Sequence, residues 1–358
     1  MTDTPTVRAV HITGPDRFEM VKRPPPPVPP GFVLAAPSYV GLCGTDLDLF
    51  DGTMPYFHQG FARYPLQPGH EWSGTLLEPA QALPAGTRVI LDPIVDCGRP
   101  DCQLCGRGLV VRCVGRREIG VRNGLDGALA TVIAVPVRYL LPIPDTVSTR
   151  DAALVEPMVT TLEGIRRTAP QPGEEVLIVG AATLGLAGAM ILSARGIRTH
   201  VLLRSPVRVP TVEATGATPW LAGTRAAVHE FDVVIEAAGT PASVQAALAH
   251  VAPGGRVALL GVPTSSVEID VAAIAVRDIT IRGVLNGPGQ YPHGLAAIAS
   301  GEVKPELLID RVYPFAETEA ALARAREHGR ARPKVLIEVD EAAGSDASHV
   351  PSGVDPGD

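Results

Sequence analysis

Four of the five cysteines of this chain lie close together in one short segment. They are Cys97, Cys102, Cys105 and Cys113. In a reducing compartment such a cluster indicates metal binding, not disulfide bonds. Structural zinc sites take four soft ligands in a closed tetrahedron, and four thiolates supply them. We therefore predict a structural zinc site in this segment; the alternative is four unrelated free thiols.

A second set of metal-capable side chains is dispersed along the chain. Cys43 lies between glycine turns, and His70 and Glu71 directly follow another glycine. Glu156 follows an apolar run. Taken singly, these residues read as a buried cysteine, a core histidine and a carboxylate at a helix start. Taken together, they offer the ligands of a catalytic zinc, and spacing alone leaves both interpretations open.

An apolar stretch, Val176–Val179, runs into a glycine-containing turn and then an alanine- and leucine-rich segment. This strand–turn–helix pattern is typical of dinucleotide binding, because the helix N-terminus stabilises the pyrophosphate. Ala182 replaces the middle glycine of the G-x-G-x-x-G template, but a small residue still lets the backbone approach the phosphates. The predicted cofactor-binding positions of this loop are Gly180, Ala182, Thr183, Leu184 and Gly185.

The residues after the second strand of this region bear on the choice of cofactor. An acidic residue at that point would hold the ribose 2′-hydroxyl of NAD. This chain has Arg204 instead, followed by Ser205, with Arg208 close by. Because an arginine attracts a 2′-phosphate, we predict a preference for NADP over NAD. The alternative is an exposed arginine without a function.

The N-terminal part that must position the metal ligands is predicted to be rich in strands and turns. The strand candidates, bounded by Gly and Pro, are Val7–Ile12, Phe32–Ala36 and Arg88–Leu91. The proline-rich run from Pro24 to Pro30 cannot form a helix or a central strand. We interpret it as an extended surface connector; a recognition motif is the alternative.

From about residue 150, short aliphatic strands alternate with helices. The predicted strands are Glu175–Gly180, Thr199–Leu203, Asp232–Ala237, Arg256–Leu260 and Lys334–Val339. The predicted helices are Thr183–Arg195, Pro241–His250, Gly294–Ser300 and Glu317–His328. The alternation indicates an α/β fold with a doubly wound parallel sheet. The acidic tail, residues 341–358, is predicted to be disordered.

Composition limits the classes of function. The 358 residues carry a formal net charge of −7 and show no basic footprint for nucleic acid. The one small basic group is interpreted as a solvated loop: Arg107, Arg112, Arg116 and Arg117. The first residues form no apolar signal segment, and the apolar stretches are too short to span a bilayer. We expect a cytoplasmic protein that binds neither nucleic acid nor membrane.

Together these motifs resemble those of the zinc-dependent members of the medium-chain dehydrogenase/reductase superfamily. The resemblance extends from Val7 to Val339 and is carried by Gly41–Asp46, Gly69–Gly74, the four-cysteine segment, the Gly180 turn and Ala252–Arg256. It implies a GroES-like, β-rich catalytic domain at residues 1–150, completed by residues 288–340. It also implies a Rossmann dinucleotide-binding domain, with its doubly wound parallel sheet, at residues 151–287.

The resemblance implies a role for each candidate metal ligand. The positions of Cys43 and His70 bind the catalytic zinc in that family. The position of Glu71 is a further carboxylate that can enter the zinc shell. In the polyol-dehydrogenase branch, the position of Glu156 completes the site, directly or through water. With the four-cysteine site, two zinc ions per chain are expected.

The resemblance also implies how the substrate proton is handled. Thr45 matches the hydroxyl that relays this proton, and Asp46 matches the carboxylate that orients the histidine ligand. Asp48 stands where a relay histidine is often found, so the proton is expected to leave by another path. A second departure is that four residues, instead of two, separate Cys97 from Cys102, which predicts a looser loop around the zinc.

The implied activity is hydride transfer between a secondary alcohol and NAD(P), with zinc as the Lewis acid. Glu156 and the polar segment Tyr56–Tyr64 favour a polyol, sugar or aminocyclitol as the substrate. Residues 41–74 also resemble dehydrogenases that oxidise 2-deoxy-scyllo-inosamine. The alternatives are a C=C or C=N reductase of the same superfamily and a structural or regulatory member; Thr45 and the ligand set argue against them. We expect a homodimer or homotetramer.

Overall fold

Strands dominate the first part of the chain. The structure, a computed structural model, describes residues 6–223 and 230–339. The strands of the first part are β1 (Val7–Gly14), β2 (Arg17–Arg23), β3 (Phe32–Leu42), β4 (Glu71–Leu76), β5 (Arg88–Leu91), β6 (Ile94–Val95), β7 (Arg117–Glu118), β8 (Ile133–Pro136) and β9 (Leu140–Pro142). Its helices are α1 (Gly44–Asp51), α2 (Pro55–His58), α3 (Gln103–Gly106) and α4 (Thr149–Ala152). All three strands predicted in this part are confirmed, although the first two are longer than expected.

Strands and helices alternate in the second part. Its strands are β10 (Glu175–Val179), β11 (Arg198–Leu203), β12 (Thr218–Leu221), β13 (Phe231–Glu236), β14 (Val251–Leu259), β15 (Thr280–Gly283), β16 (Ile309–Pro314) and β17 (Lys334–Glu338). Its helices are α5 (Val155–Thr168), α6 (Thr183–Ala194), α7 (Val209–Ala214), α8 (Pro241–His250), α9 (Val271–Val276), α10 (Tyr291–Ala299) and α11 (Thr318–Arg326). Short 3₁₀ turns lie at Val110–Arg112, Val137–Tyr139, Pro206–Arg208, Pro305–Leu307 and Phe315–Glu317. The tail predicted at 341–358 lies outside the described residues.

A seven-stranded sheet carries the candidate metal ligands. Its strand order is β16-β17-β3-β4-β5-β9, and β8 also pairs with β3. The last strand, β17, runs antiparallel to β3, with Val335 opposite Leu42 and Leu336 opposite Gly41. The C-terminal end of the described chain therefore lies beside the strand that leads into Cys43. This sheet draws on both ends of the chain, as the proposed catalytic domain requires.

The second large sheet has six strands, all parallel. Its order is β12-β11-β10-β13-β14-β15, so the chain winds outward in both directions from β10 and β13. Residues Val176 to Val179 of β10 are buried, as a central parallel strand between helices requires. The predicted doubly wound Rossmann arrangement is confirmed. The domain boundaries at residues 150/151 and 287/288 stay predictions.

Elements that differ from the sequence prediction include α5, β14 and α10. Helix α5 was not predicted as an element, although one interpretation placed Glu156 at a helix start. Pro157 lies in the first turn of this helix, where a missing N–H costs nothing. Strand β14 begins at Val251, before the predicted start, because Val251 pairs with Phe231 across a register shift. Helix α10 begins at Tyr291, also earlier than predicted.

The basic group interpreted as a solvated loop is solvent-exposed only in part. Arg107 and Arg112 are exposed, as a solvated loop implies. Arg116 and Arg117 are not: they pair with Glu118 at 2.9 Å and with Asp96 at 3.6 Å. The proline-rich connector contains no helix or strand, as predicted. Across the described ranges, every helix is too short or too polar to cross a bilayer.

Candidate active site and metal centres

One buried carboxylate, Asp46, organises the dispersed ligand set. Strand β3 ends at Leu42, and Cys43 follows in an extended conformation as the N-cap of α1. Asp46 Oδ2 accepts a hydrogen bond from the Cys43 amide at 3.0 Å, and Oδ1 accepts one from the Gly69 amide at 3.3 Å. Oδ1 also lies 3.3 Å from His70 Nδ1. Two segments distant in sequence are thus fixed to a single side chain.

The side chains of Cys43, His70 and Glu71 converge. One ligand atom from each lies within 4.8 Å of the other two. Burial by itself lowers the pKa of His70, but Asp46 and Cys43 outweigh it and raise the pKa well above its usual value. The site therefore places an imidazole among negatively charged groups, which is an environment suited to a cation. The predicted meeting of these three residues is what the structure shows.

Glu71 has a partner that sequence reasoning missed. Lys334 Nζ, at the start of β17, lies 2.6 Å from Glu71 Oε2 and also donates to the Leu42 carbonyl at 3.1 Å. Both charged side chains are almost fully buried. Burial lowers the pKa of Lys334, but Glu71, Cys43 and Asp46 together outweigh burial and raise that pKa. A Cβ at Gly41 would collide with the Glu71 carboxylate, so the glycine leaves room for this ion pair.

Glu156 lies beside this cluster but outside the 4.8 Å group, among the residues that the structure describes. It is the second residue of α5, and its Oε1 accepts from Asn286 Nδ2 at 3.4 Å. Burial raises the pKa of Glu156 to about 8 and the pKa of Asp92 to about 7. The Tyr291 hydroxyl is buried near both carboxyls. Asn286, Asp92 and Tyr291 were not singled out in the sequence.

The proton-handling candidates lie on α1. Thr45 is the second residue of this helix and is half-buried, two positions after Cys43. Asp48 lies one turn later, where its carboxylate accepts from the Thr53 hydroxyl at 3.3 Å. Burial raises the pKa of Asp48. The helix thus brings Thr45 close to the ligand set, whereas Asp48 contacts the loop that follows.

The four-cysteine segment folds into a compact donor cluster. One sulfur from each of the four residues lies within 4.8 Å of the others, with Cys102 and Cys113 3.7 Å apart and Cys97 and Cys105 3.7 Å apart. Helix α3 carries two of the cysteines around one turn, and the 3₁₀ turn Val110–Arg112 brings in the last. The longer spacing after Cys97 therefore does not keep the sulfurs apart.

The predicted nucleotide turn has the geometry that a dinucleotide needs. Gly180 has a φ of 111°, and a Cβ on Gly185 would collide with the Gly180 carbonyl. Ala182 has a φ of −87°, a conformation open to any residue, which explains why alanine replaces the middle glycine. Helix α6 begins at Thr183, with its N-terminus at the turn. The turn fits a pyrophosphate at that N-terminus.

The basic residues after β11 differ in their availability. Arg204 is exposed directly after the strand, and the Ser205 hydroxyl accepts from the Val207 amide at 3.4 Å. Arg208 donates to the Ala181 carbonyl at 2.8 Å and to the Arg330 carbonyl at 2.8 Å. Arg208 therefore holds the nucleotide turn itself, and Arg204 is the residue open to solvent.

Comparison with known proteins agrees with this geometry. Residues 29–145 match the family described as "Alcohol dehydrogenase GroES-like domain", and residues 183–300 match "Zinc-binding dehydrogenase". The sorbitol dehydrogenase of Bacillus subtilis is 30% identical over 313 residues, covering 83% of this chain and 87% of that protein. The chain belongs to the zinc-dependent medium-chain alcohol dehydrogenase superfamily.

Two solved dehydrogenase structures of similar fold differ in the cofactor they contain. A putative zinc-binding dehydrogenase from Sinorhizobium meliloti, bound to NADP, superposes with a TM-score of 0.84 at 25% identity, covering 94% of this chain and all of that one. The RspB alcohol dehydrogenase from Escherichia coli, complexed with NADH, has a TM-score of 0.84 at 23% identity, covering 93% and 99%. The fold of this chain is therefore shared by one dehydrogenase solved with NADP and one solved with NADH.

Proposed function

We propose that this alcohol dehydrogenase uses a catalytic zinc and prefers NADP, and that it interconverts a secondary hydroxyl and a ketone on a polyhydroxylated substrate. The observation that carries the proposal is the convergence of Cys43, His70 and Glu71 within 4.8 Å. A thiolate, an imidazole and a carboxylate are ligands that zinc takes in catalytic sites, with a position left for substrate. The chemistry of these donors therefore fits zinc.

When bound, zinc supplies a Lewis acid that lowers the pKa of an alcohol, and the nicotinamide supplies the hydride acceptor. Cys43 and His70 would hold the metal. The Asp46 carboxylate beside His70 Nδ1 keeps the proton on that nitrogen and leaves Nε2 for the metal. Thr45, two residues after Cys43, takes the proton of the substrate hydroxyl.

Lys334 decides how Glu71 behaves in this site. A carboxylate paired at 2.6 Å with a buried ammonium is partly neutralised. The Glu71 carboxylate also has a second possible partner besides the metal, which is the Lys334 ammonium. Glu71 is therefore able to approach the metal or to stay with Lys334, and Glu156 is the second carboxylate that could complete the shell.

The four cysteines are proposed to bind a second, structural zinc. Their donor set is closed, because four sulfurs within 4.8 Å leave no position for a substrate. Two zinc ions per chain follow from the two donor sets. Metal analysis of the purified protein tests this directly: two zinc ions per chain are expected, and fewer would remove one of the two assignments.

The preference for NADP rests on Arg204. This side chain is exposed at the carboxyl end of β11, where the adenosine ribose of a dinucleotide lies in a doubly wound sheet. A guanidinium there favours a 2′-phosphate, and Arg204 stands where an acidic residue would repel that phosphate. The Sinorhizobium relative was solved with NADP, which is consistent with this preference.

A polyhydroxylated substrate is supported by three observations. The relative from Bacillus subtilis is named for sorbitol. Glu156 adds a hydrogen-bonding group next to the ligand set. The segment Tyr56–Tyr64, which lies between α1 and His70, exposes His58, Gln59 and Arg63. Sites built to bond substrate hydroxyls discriminate strongly in favour of substrates that carry them.

A homodimer is proposed through the free edge of β15. This strand ends the six-stranded sheet and pairs on one side only within the described chain. Large apolar side chains are exposed around it, at Val262, Ile269, Val271, Val276 and Leu285. A two-fold axis at an unpaired edge joins two sheets and covers such a surface. Sedimentation analysis should give twice the chain mass, and Val276→Asp should give the monomer.

A spectrophotometric panel tests the activity. Cyclitols, sugars, polyols and plain alcohols are each offered with NADP and with NAD, and reduced nicotinamide is followed by absorbance. Polyhydroxylated secondary alcohols with NADP are expected to give the highest kcat/KM. Turnover of straight-chain primary alcohols alone would refute the substrate class, and no alcohol-dependent reduction at all would refute the activity.

A further inference from the structure

Arg122 is a buried arginine that the proposed chemistry does not use. Only 3% of its surface is exposed. Its Nη2 donates to the Val114 carbonyl at 2.7 Å, and its Nη1 donates to the Arg116 carbonyl at 3.0 Å. Both carbonyls follow Cys113 closely in the chain. The guanidinium is thereby fixed to the end of the four-cysteine segment.

The same guanidinium packs on two aromatic rings of the loop between α1 and His70. Its central carbon lies 3.8 Å from the ring centroid of Phe61 and 5.3 Å from that of Tyr56. These two rings contact each other edge to face, with centroids 6.1 Å apart. A guanidinium over ring faces gains cation–π and stacking energy, which is largest when water is excluded.

Two further hydrogen bonds join the same two parts of the chain as Arg122 does. The Tyr56 hydroxyl donates to Glu118 at 3.2 Å, and the Asn123 amide donates to the Phe61 carbonyl at 2.8 Å. Residues 114–123, called the bridge segment below, thus contact the loop at Tyr56 and at Phe61. In the described part of the chain Arg122 forms no ion pair, so backbone carbonyls and ring faces offset the burial of its charge.

The loop is anchored at its other end on the helix that follows Cys43. The Thr53 amide donates to the Asp48 carbonyl at 2.9 Å, and the Tyr64 hydroxyl donates to the Leu49 carbonyl at 2.7 Å. Helix α1 also carries Thr45. The position of Tyr56 and Phe61 relative to Thr45 is therefore set by α1 on one side and by the bridge segment on the other.

We propose that Arg122 is a positioning residue for substrate: it transmits the fixed shape of the four-cysteine segment to the loop that contacts the substrate hydroxyls. The inference rests on the proposed function, in which residues 56–64 line the substrate cleft. It assigns the four-cysteine segment a part in specificity besides its part in folding. A residue of this kind governs how tightly substrate is held, and leaves the reacting groups in place.

Two substitutions test the contact between Arg122 and Phe61, one in each of the two residues. Arg122→Lys keeps the charge but loses the planar group, and Phe61→Leu keeps an apolar side chain but loses the ring. Each is expected to raise KM for a polyhydroxylated substrate by about five- to tenfold, with kcat changed less than about twofold. The double variant should be no worse than either single variant, since both remove one contact. Arg311→Lys, at a guanidinium 5.9 Å from the Tyr313 ring, is the matched control and should change nothing.

Hydrogen exchange gives a readout that does not depend on activity. The Phe61 and Ala62 amides donate to the Tyr56 carbonyl at 2.8 and 3.1 Å, so they report on the loop. In Arg122→Lys and in Phe61→Leu these two amides should exchange faster by at least about fivefold, while amides of α5 should exchange at the wild-type rate.

Faster exchange in the loop together with a raised KM supports the proposal. Unchanged exchange in both variants, or additive KM effects in the double variant, would overturn it. If the wild type oxidises no polyhydroxylated alcohol, the proposed function fails, and the exchange result still decides whether the bridge segment holds the loop.

Discussion

The two donor clusters of this protein are built in opposite ways. The four cysteines come from one segment of chain, and helix α3 with one 3₁₀ turn is enough to bring their sulfurs together. Cys43 directly follows β3 and His70 directly precedes β4, so they meet because these two strands pair, with Gly41 opposite Glu71. Asp46 then binds the backbone of both segments. The four cysteines can therefore come together when a single loop folds, whereas the dispersed ligands come together only when the sheet that carries them has formed.

The electrostatics of the two clusters differ as well. Four thiolates form a donor set that is complete in itself. Around Cys43 the donors are mixed, and their neighbours are buried charges such as Asp46 and the Lys334–Glu71 pair. A closed set can hold an ion for stability, and a mixed set with adjustable neighbours can leave a position for chemistry. The comparison predicts that the same substitution has different consequences in the two places.

The largest effect on activity is expected from Cys43→Ala. Loss of the thiolate should remove one of two zinc ions and lower kcat/KM on the order of a thousandfold or more, because several kcal/mol of transition-state stabilisation depend on the metal. Thermal stability should change little. Metal analysis, steady-state kinetics and a melting curve measure the three quantities. An unchanged zinc content would contradict the catalytic assignment.

Cys102→Ala is the matched substitution in the other cluster. It should also remove one zinc, but its main effect should be on stability, by more than about 3 kcal/mol, because metal binding energy in a closed site is folding energy. The kcat of the molecules that remain folded should stay within about threefold. Wild-type Tm together with full zinc content would show that the four sulfurs do not hold a metal.

Lys334→Met tests the buried charges that distinguish the dispersed site. The substitution leaves Glu71 buried without its partner, which should destabilise the protein by about 3–5 kcal/mol. Adding Glu71→Gln should recover part of the loss, since the uncompensated charge is then gone. Arg324→Met, which breaks the partly exposed pair with Asp310, is the control and should cost about 1 kcal/mol or less. Equal losses in both variants would mean that burial of the Lys334 pair is unimportant.

The smallest effect should come from Arg204→Asp, which leaves both clusters intact. Losing the contact to a 2′-phosphate costs about 1.5–3 kcal/mol, or roughly ten- to a hundredfold in the NADP/NAD ratio of kcat/KM. The preference should reverse while two zinc ions are retained. Arg198→Asp, at the opposite end of β11, should leave the ratio unchanged. Equal use of both cofactors by the wild type would refute the role of Arg204.

Much of the fold follows from local sequence patterns. Helix α8 occupies the predicted residues, and α6 ends one residue earlier than predicted, because each has an apolar pattern and a clear start. Strand β10 was found from its uninterrupted aliphatic run. The edge strand β15 was missed because most of its residues are exposed and no apolar run marks it.

The candidate ligands could be named from the sequence, but their surroundings could not. Cysteines and a histidine beside glycine turns are recognisable by type and spacing. Lys334 was placed only as the start of a final strand, because its partner Glu71 lies 263 residues away and nothing local marks the pair. Asn286 and Arg122 were not singled out in the sequence for the same reason. Their contacts form only after the chain has folded.

The buried pair between Lys334 and Glu71 also has a consequence for biosynthesis. The lysine lies in the last strand of the described chain, 263 residues downstream of its partner. At ribosomal rates of about 5–20 residues per second, it emerges on the order of tens of seconds after Glu71. The four-cysteine loop, by contrast, is complete as soon as Cys113 has left the ribosome. A growing chain can therefore bring the four sulfurs together early in translation, whereas the site around Cys43 becomes complete only after Lys334 has emerged.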